Sequence, residues 1–102
     1  MIPVVSAAAE QDIDDMESWL TQNWGPVAAA NIIEAVLERI AALADMPFTG
    51  VPRPEFGETV RLATSGRYVF YYEADQGSLV ILRILRILHA ARDRDAIMGK
   101  RE

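Results

Sequence analysis

With 102 residues, 51% of them apolar and 25% charged, the chain has the composition of one small folded domain and is too apolar for a disordered segment. A net charge of −5 argues against gripping nucleic acid through excess positive charge, and the absence of cysteine excludes a disulfide framework and thiolate chemistry. The charge divides unevenly: residues 1–51 carry eight acids and one base, residues 52–102 seven acids and nine bases, so a −7 half precedes a +2 half. No apolar run approaches the roughly 20 residues of a membrane-spanning helix, and the acidic start carries no secretory signal, so a cytoplasmic protein is expected. One histidine and no cysteine leave no conventional metal site, and no cofactor is expected.

Residues 2–5 predict a short first strand, with Pro3 tolerable only near its beginning or on a sheet edge. From Ala7 to Trp24 the apolar residues Ala9, Ile13, Met16 and Leu20 recur at helical spacing behind a Ser6 cap. The acids of the first turns lie at the positive end of that helix, so part of the acidic bias stabilises the helix and needs no partner. Gly25 and Pro26 mark a stop and a restart. The segment from Val27 to Ala44 is apolar nearly all round, with Asn31, Glu34, Glu38 and Arg39 on one stripe, and so predicts a helix buried on more than one side. Residues 7–45 are thus a helical hairpin.

Asp45, Met46 and Pro47 end the second helix, and residues 47–58 read as a loop stiffened by proline. Three strands are predicted within 59–88, at Val60–Ala63, Arg67–Ala74 and Leu79–Leu88. Ser65-Gly66 and Asp75-Gln76-Gly77-Ser78 separate them as turns, which predicts an antiparallel meander. Tyr68, Phe70 and Tyr72 alternate onto one face and Val69 and Tyr71 onto the other. A tail over 93–102 carries a short helix at most. The fold class is α+β, order β-α-α-β-β-β, a helical hairpin packed on an antiparallel sheet.

The last strand contains a tandem triplet, Leu82-Arg83-Ile84-Leu85-Arg86-Ile87-Leu88. Arginines three apart fall on opposite faces of a regular strand, which would point one of them at the helices. A β-bulge or a late strand end near Ile84–Ile87 is therefore expected.

Several segments in this order carry a family resemblance. Ala9-Glu10-x-Asp12-Ile13 opens the first helix, Trp24-Gly25 breaks it, and Met46-Pro47 with Gly50 follows the second. Arg61, the strand Gly66-Arg67-Tyr68-Val69-Phe70-Tyr71-Tyr72 and the run Ile87-Leu88-His89-Ala90-Ala91-Arg92-Asp93 complete the set. Together they resemble the ParE branch of the ParE/RelE toxin superfamily. The resemblance implies a type II toxin–antitoxin module, neutralised by a ParD-like antitoxin whose C-terminal segment wraps the toxin while its ribbon-helix-helix N-terminus dimerises and binds operator DNA.

The superfamily contains ribosome-dependent mRNA endonucleases and poisons of DNA gyrase. For cleavage the available set is His89 as acid/base, Arg61, Arg67 and Arg92 as phosphate clamps, and Tyr71 or Tyr72 for base stacking. That set is thin, and a chain at −5 offers little attraction to ribosomal RNA. Gyrase inhibition without catalysis is the favoured expectation. The alternatives are mRNA cleavage or a toxin-fold binding protein without activity. Direct DNA or membrane binding by the chain alone is not expected.

Antitoxin contacts are expected from Arg61, Arg67, Tyr72, Arg83, Arg86 and Arg92, with Ile33 and Leu37 of the second helix as apolar anchors. Some of the residues singled out have a plainer explanation. His89 suits a backbone hydrogen bond at the strand end, Arg67 suits a surface pairing with Glu58 or Glu73, and Trp19 and Trp24 suit core or hairpin packing.

Overall fold

Ser6 joins the first strand, the first helix and the last strand. Its hydroxyl accepts from the Ala9 amide at 3.0 Å and donates to the Leu85 carbonyl at 3.0 Å, and its own amide donates to the Ile84 carbonyl at 3.0 Å. The structure is a computed structural model that describes the backbone of residues 1–76 and 80–91 and the side chains of residues 1–74 and 81–91. Its elements run β1 (Ile2–Val5), α1 (Ala7–Trp24), α2 (Pro26–Asp45), β2 (Val51–Pro52), a 3₁₀ turn (Pro54–Phe56), β3 (Val60–Ser65), β4 (Tyr68–Gln76) and β5 (Val80–His89). The hairpin breaks where expected, with Gly25 at a φ of 91° and Pro26 opening α2.

The strands form one sheet in the order β1-β5-β4-β3-β2. The expected antiparallel meander is β3, β4 and β5, and β1 joins β5 in parallel, so the whole sheet is mixed. Ser6 donates to β5, so by alternation Ile2 and Val4 also direct their backbone groups to β5 while Pro3 faces the free edge. The amide that Pro3 lacks would have been a lure for another strand, and its absence blunts that edge.

Residues 47–58 differ from the plain loop expected of them. Val51 and Pro52 pair with Leu62 and Arg61 as a second edge strand, and Pro54 opens a 3₁₀ turn. Proline is compatible with both, on an edge and in a first turn. Asp75 and Gln76, expected in a turn, extend β4 and pair with Ile81 and Val80. The expected turn centre at Gly77 and Ser78 and the tail at 93–102 lie outside the described residues.

Both helices cover one face of the sheet. Ala9, Met16 and Leu20 of α1 and Ala29, Val36, Ile40 and Leu43 of α2 pack with Phe70, Tyr72, Leu82, Ile84 and Ile87. Helix α2 buries fewer sides than its sequence predicts, because Val27 is 74% and Leu37 50% exposed.

The expected irregularity of β5 is a bulge at Leu85. Tyr71 pairs with Arg86 but Tyr72 pairs with Ile84, leaving Leu85 unopposed. The extra residue lets Ile84 and Ile87, three apart, both enter the core. β1 ends at the pairing of Val5 with Ile84, so Arg86 lies where the edge of β5 is open to α1. Its guanidinium turns there to Asp12, donating from Nε at 2.7 Å and Nη2 at 2.9 Å.

Candidate interaction cleft

A cleft of about 570 Å³ lies between the tip of the helical hairpin and the near end of the sheet. Trp19, Leu20 and Trp24 of α1 form one wall, and Ala28, Asn31, Ile32, Ala35 and Val36 of α2 the floor. Ser65, Gly66, Arg67, Tyr68 and His89 close it. Spacing explains the floor: positions 28, 31, 32 and 35 recur at three and four residues, so one helical face carries them. Two of the four are alanine, which leaves room where longer side chains would fill the trench. Gly66, at a φ of 58°, makes the tight turn that places Arg67 and Tyr68 at the rim.

Electrostatically the cleft is unlike the rest of the chain. The protein has fifteen acids, yet no carboxylate lines the cleft, and Arg67 and His89 do. Arg67 is exposed, and its side chain makes no hydrogen bond or ion pair among the described residues, whereas its carbonyl accepts from the Ala90 amide at 2.8 Å. Its expected surface pairing with Glu58 or Glu73 is not formed, since Glu73 binds Arg83 at 3.3 Å and the Thr59 hydroxyl at 2.9 Å. His89 takes the backbone bond expected of it: Nδ1 accepts from the Ala91 amide at 3.2 Å, and the ring stands edge-on to Tyr68 with centroids 5.4 Å apart.

Of the core or hairpin-packing role expected for Trp19 and Trp24, the core half is not met. They are 37% and 68% exposed, and both face this cleft. The signal was present in the sequence as two tryptophans at the end of a helix beside a small-residue face on the next. Which side of the hairpin they occupy depends on how the helices cross.

The other candidate residues disperse. Arg61 lies four residues before Ser65, roughly 13 Å along β3, so it is separated from the Arg67 turn. Its Nη1 donates to the Phe48 carbonyl at 3.1 Å and the Gly50 carbonyl at 2.7 Å, holding the loop after α2. Tyr72 is fully buried, which corrects its expected role as a partner contact or stacking platform. Its hydroxyl donates to the Pro47 carbonyl at 2.7 Å and accepts from the Gly50 amide at 2.9 Å. Arg83 and Arg86 are engaged by Glu73 and Asp12. Ile33 packs against the core and Leu37 is exposed, and neither lines the cleft. Tyr71 lies edge-on to Phe56, with ring centroids 5.2 Å apart. Arg92 lies outside the described residues. Among the described residues of the cleavage set, only His89 and Arg67 share the cleft. No cluster of three metal-ligating side chains occurs among the described residues, and none of their helices is long and apolar enough to cross a membrane.

Comparison with known proteins places this geometry. The family described as the ParE toxin of the type II toxin–antitoxin system parDE matches residues 4–94. Toxin ParE1 of Caulobacter vibrioides is 28% identical over 95 residues, spanning 93% of this chain and 95% of its own. A chain of the solved chromosomal ParDE TA system from P. aeruginosa superposes with a TM-score of 0.73 at 21% identity, covering 87% of this chain and 95% of its own, a likeness of fold.

Proposed function

The chain belongs to the ParE toxin family of type II toxin–antitoxin systems, and on that premise we propose that it inhibits DNA gyrase by protein contact in the cytoplasm and is neutralised by a ParD-like antitoxin. The cleft is where the antitoxin docks. One observation carries this reading: on a chain of net charge −5, this cleft is mostly apolar, free of carboxylates among its described lining and rimmed by Arg67 and His89. An acidic amphipathic segment fits such a trench, with its apolar ridge against Trp19, Trp24 and Ile32 and a carboxylate at Arg67. Nucleic acid fits it poorly, because the one exposed arginine among the described lining residues supplies little counterion release.

Catalysis is not required of this site. His89 and Arg67 stand together, but Arg61 is held by the backbone of the 48–50 loop, too far along β3 to act on the same phosphate. The deciding experiment expresses the chain without its antitoxin and assays one preparation twice. Gyrase inhibition predicts blocked supercoiling and trapped cleaved DNA with no cut in ribosome-bound mRNA. Cut mRNA with normal supercoiling replaces this reading with the nuclease, and a chain that is harmless when expressed alone replaces it with a binding module.

A further inference from the structure

Two apolar residues are buried on the side of the sheet away from the helices. Tyr68, Phe70 and Tyr72 point to the helices, so by alternation Val69 points to the opposite face of β4. Leu88, its cross-strand partner, points there from β5, and neither residue belongs to the core under the helices. Yet Val69 is 9% exposed and Leu88 5%. An antiparallel sheet covered on one face leaves its other face to water unless something lies on it.

The described residues do not supply that cover. The row of side chains that holds the pair starts at Thr64 of β3, which is exposed. It ends at Leu88, because β1 stops where Val5 pairs with Ile84 and leaves this stretch of β5 as an edge. Arg86, on the same face, carries its guanidinium round that edge to Asp12. The 3₁₀ turn after β2 reaches this face through Phe56, which packs on Tyr71, but it hangs from the β3 side of the sheet, away from Leu88. Leu62 and Tyr71 in the next row are only half-buried, so the cover is local to Val69 and Leu88.

Both residues are buried within the single chain, so the cover belongs to this chain and not to a second molecule. Residues 77–79 join the far ends of β4 and β5, eight residues or roughly 26 Å along the strand from Leu88. The segment after β5 starts in the right place. Ala90 is tied to the Arg67 carbonyl at 2.8 Å, so the chain leaves the sheet beside Leu88. Its sequence sets one apolar group, Ala96-Ile97-Met98, among the ions Arg92, Asp93, Arg94, Asp95, Lys100 and Arg101. Leu88 lies roughly 10 Å back along the strand from Ala91, and the six residues from Ala91 to Ile97 span roughly 9 Å as a helix or 20 Å extended.

We propose that the segment following β5 folds back across the helix-free face and lays Ile97 and Met98 on Val69 and Leu88, as a third layer over that end of the sheet. The contact closes this patch to other molecules, which reach Val69 and Leu88 only by displacing residues 96–98.

The absence of cysteine makes crosslinking a clean test, since any disulfide must join the introduced residues. The full chain carrying Val69→Cys/Ile97→Cys is compared in a glutathione buffer with Leu37→Cys/Ile97→Cys, which places one thiol on the exposed side of α2. The expected result is a disulfide within one chain that closes at least about tenfold faster in the first pair. Without cysteine, Ile97→Ser/Met98→Ser is expected to lower the melting temperature by about 4 °C or more, and Ile97→Leu/Met98→Leu to restore most of it. Equal closure rates overturn the proposal, as does a serine variant that melts like the wild type. Disulfides formed between chains overturn it in favour of a second copy on this face. Neither measurement uses gyrase or an antitoxin, so the outcome is independent of the proposed function.

Discussion

Asp12 and Arg86, 74 residues apart in sequence, form a two-pronged ion pair across the open edge of the last strand. The same Asp12 carboxylate also accepts from the Ile87 amide at 2.9 Å. Its side chain is only 9% exposed, against 43% for Arg86, so three donors satisfy a largely desolvated charge. The carboxylate does for the strand beyond Leu85 what β1 does before it. Replacing Asp12 by alanine removes the acceptor shared by the Ile87 amide and two guanidinium nitrogens and should lower stability by about 2–3 kcal/mol. Thermal melting of Asp12→Ala and Arg86→Leu, singly and combined, checks this, and additive effects in that cycle would dissociate the two residues.

The bulge itself can be tested by deletion. Removing Leu85 places Arg86 directly after Ile84, which keeps the pairings of Tyr72 with Ile84 and Tyr71 with Arg86 and leaves Ile84 and Ile87 two apart on the core face. The deletion should therefore fold, with stability lowered by about 1 kcal/mol for the Leu85 carbonyl that accepts from the Ser6 hydroxyl. A deletion variant that fails to show native circular dichroism would mean that the bulge does more than correct the parity of the strand.

Tyr72→Phe removes one hydroxyl and leaves two loop groups, the Gly50 amide and the Pro47 carbonyl, without their partner. A loss of about 1–3 kcal/mol is expected, together with faster exchange of the Gly50 amide hydrogen. Exchange unchanged from the wild type would mean that Arg61 alone holds the loop.

Binding of the antitoxin should depend on Trp24 and Arg67 more than on Arg61 or Arg83. Trp24→Ala is expected to cost about 2 kcal/mol or more of binding energy, as exposed aromatic anchors do. Charge reversal of Arg67 together with Arg92 should weaken the complex and flatten its dependence on salt. Titration across a salt series measures both effects, and affinity indifferent to these changes removes the cleft as the docking site.

His89→Gln distinguishes the two chemistries. A side chain whose described role is to accept from the Ala91 amide and to stand beside Tyr68 can be replaced without loss of growth inhibition. A general acid/base cannot, since its removal typically lowers the rate by about 10²–10⁴-fold. Growth arrest scored for both proteins at matched expression gives the answer.

What the sequence determined by itself is local. Ser6, Gly25 and Pro26 act on their immediate neighbours, so the helix limits were legible to within a residue. Alternation of Tyr68, Phe70 and Tyr72 identified a strand face, and the parity of Arg83 and Arg86 called for the bulge that Leu85 provides. Only the tertiary structure decided the rest, because it turns on which distant segments meet. Arg61 and Arg67 look alike in sequence, yet one binds loop carbonyls while the other stands alone at the rim of a cleft. Tyr72 reads as a platform for a partner until the Pro47–Gly50 loop closes over it. Trp19 and Trp24 read as core or hairpin packing until the crossing of α1 and α2 leaves them lining an open cleft. The uneven charge of the two halves belongs to both levels: acids at the start of α1 follow from the helix itself, but a cleft without carboxylates exists only once hairpin and sheet are brought together.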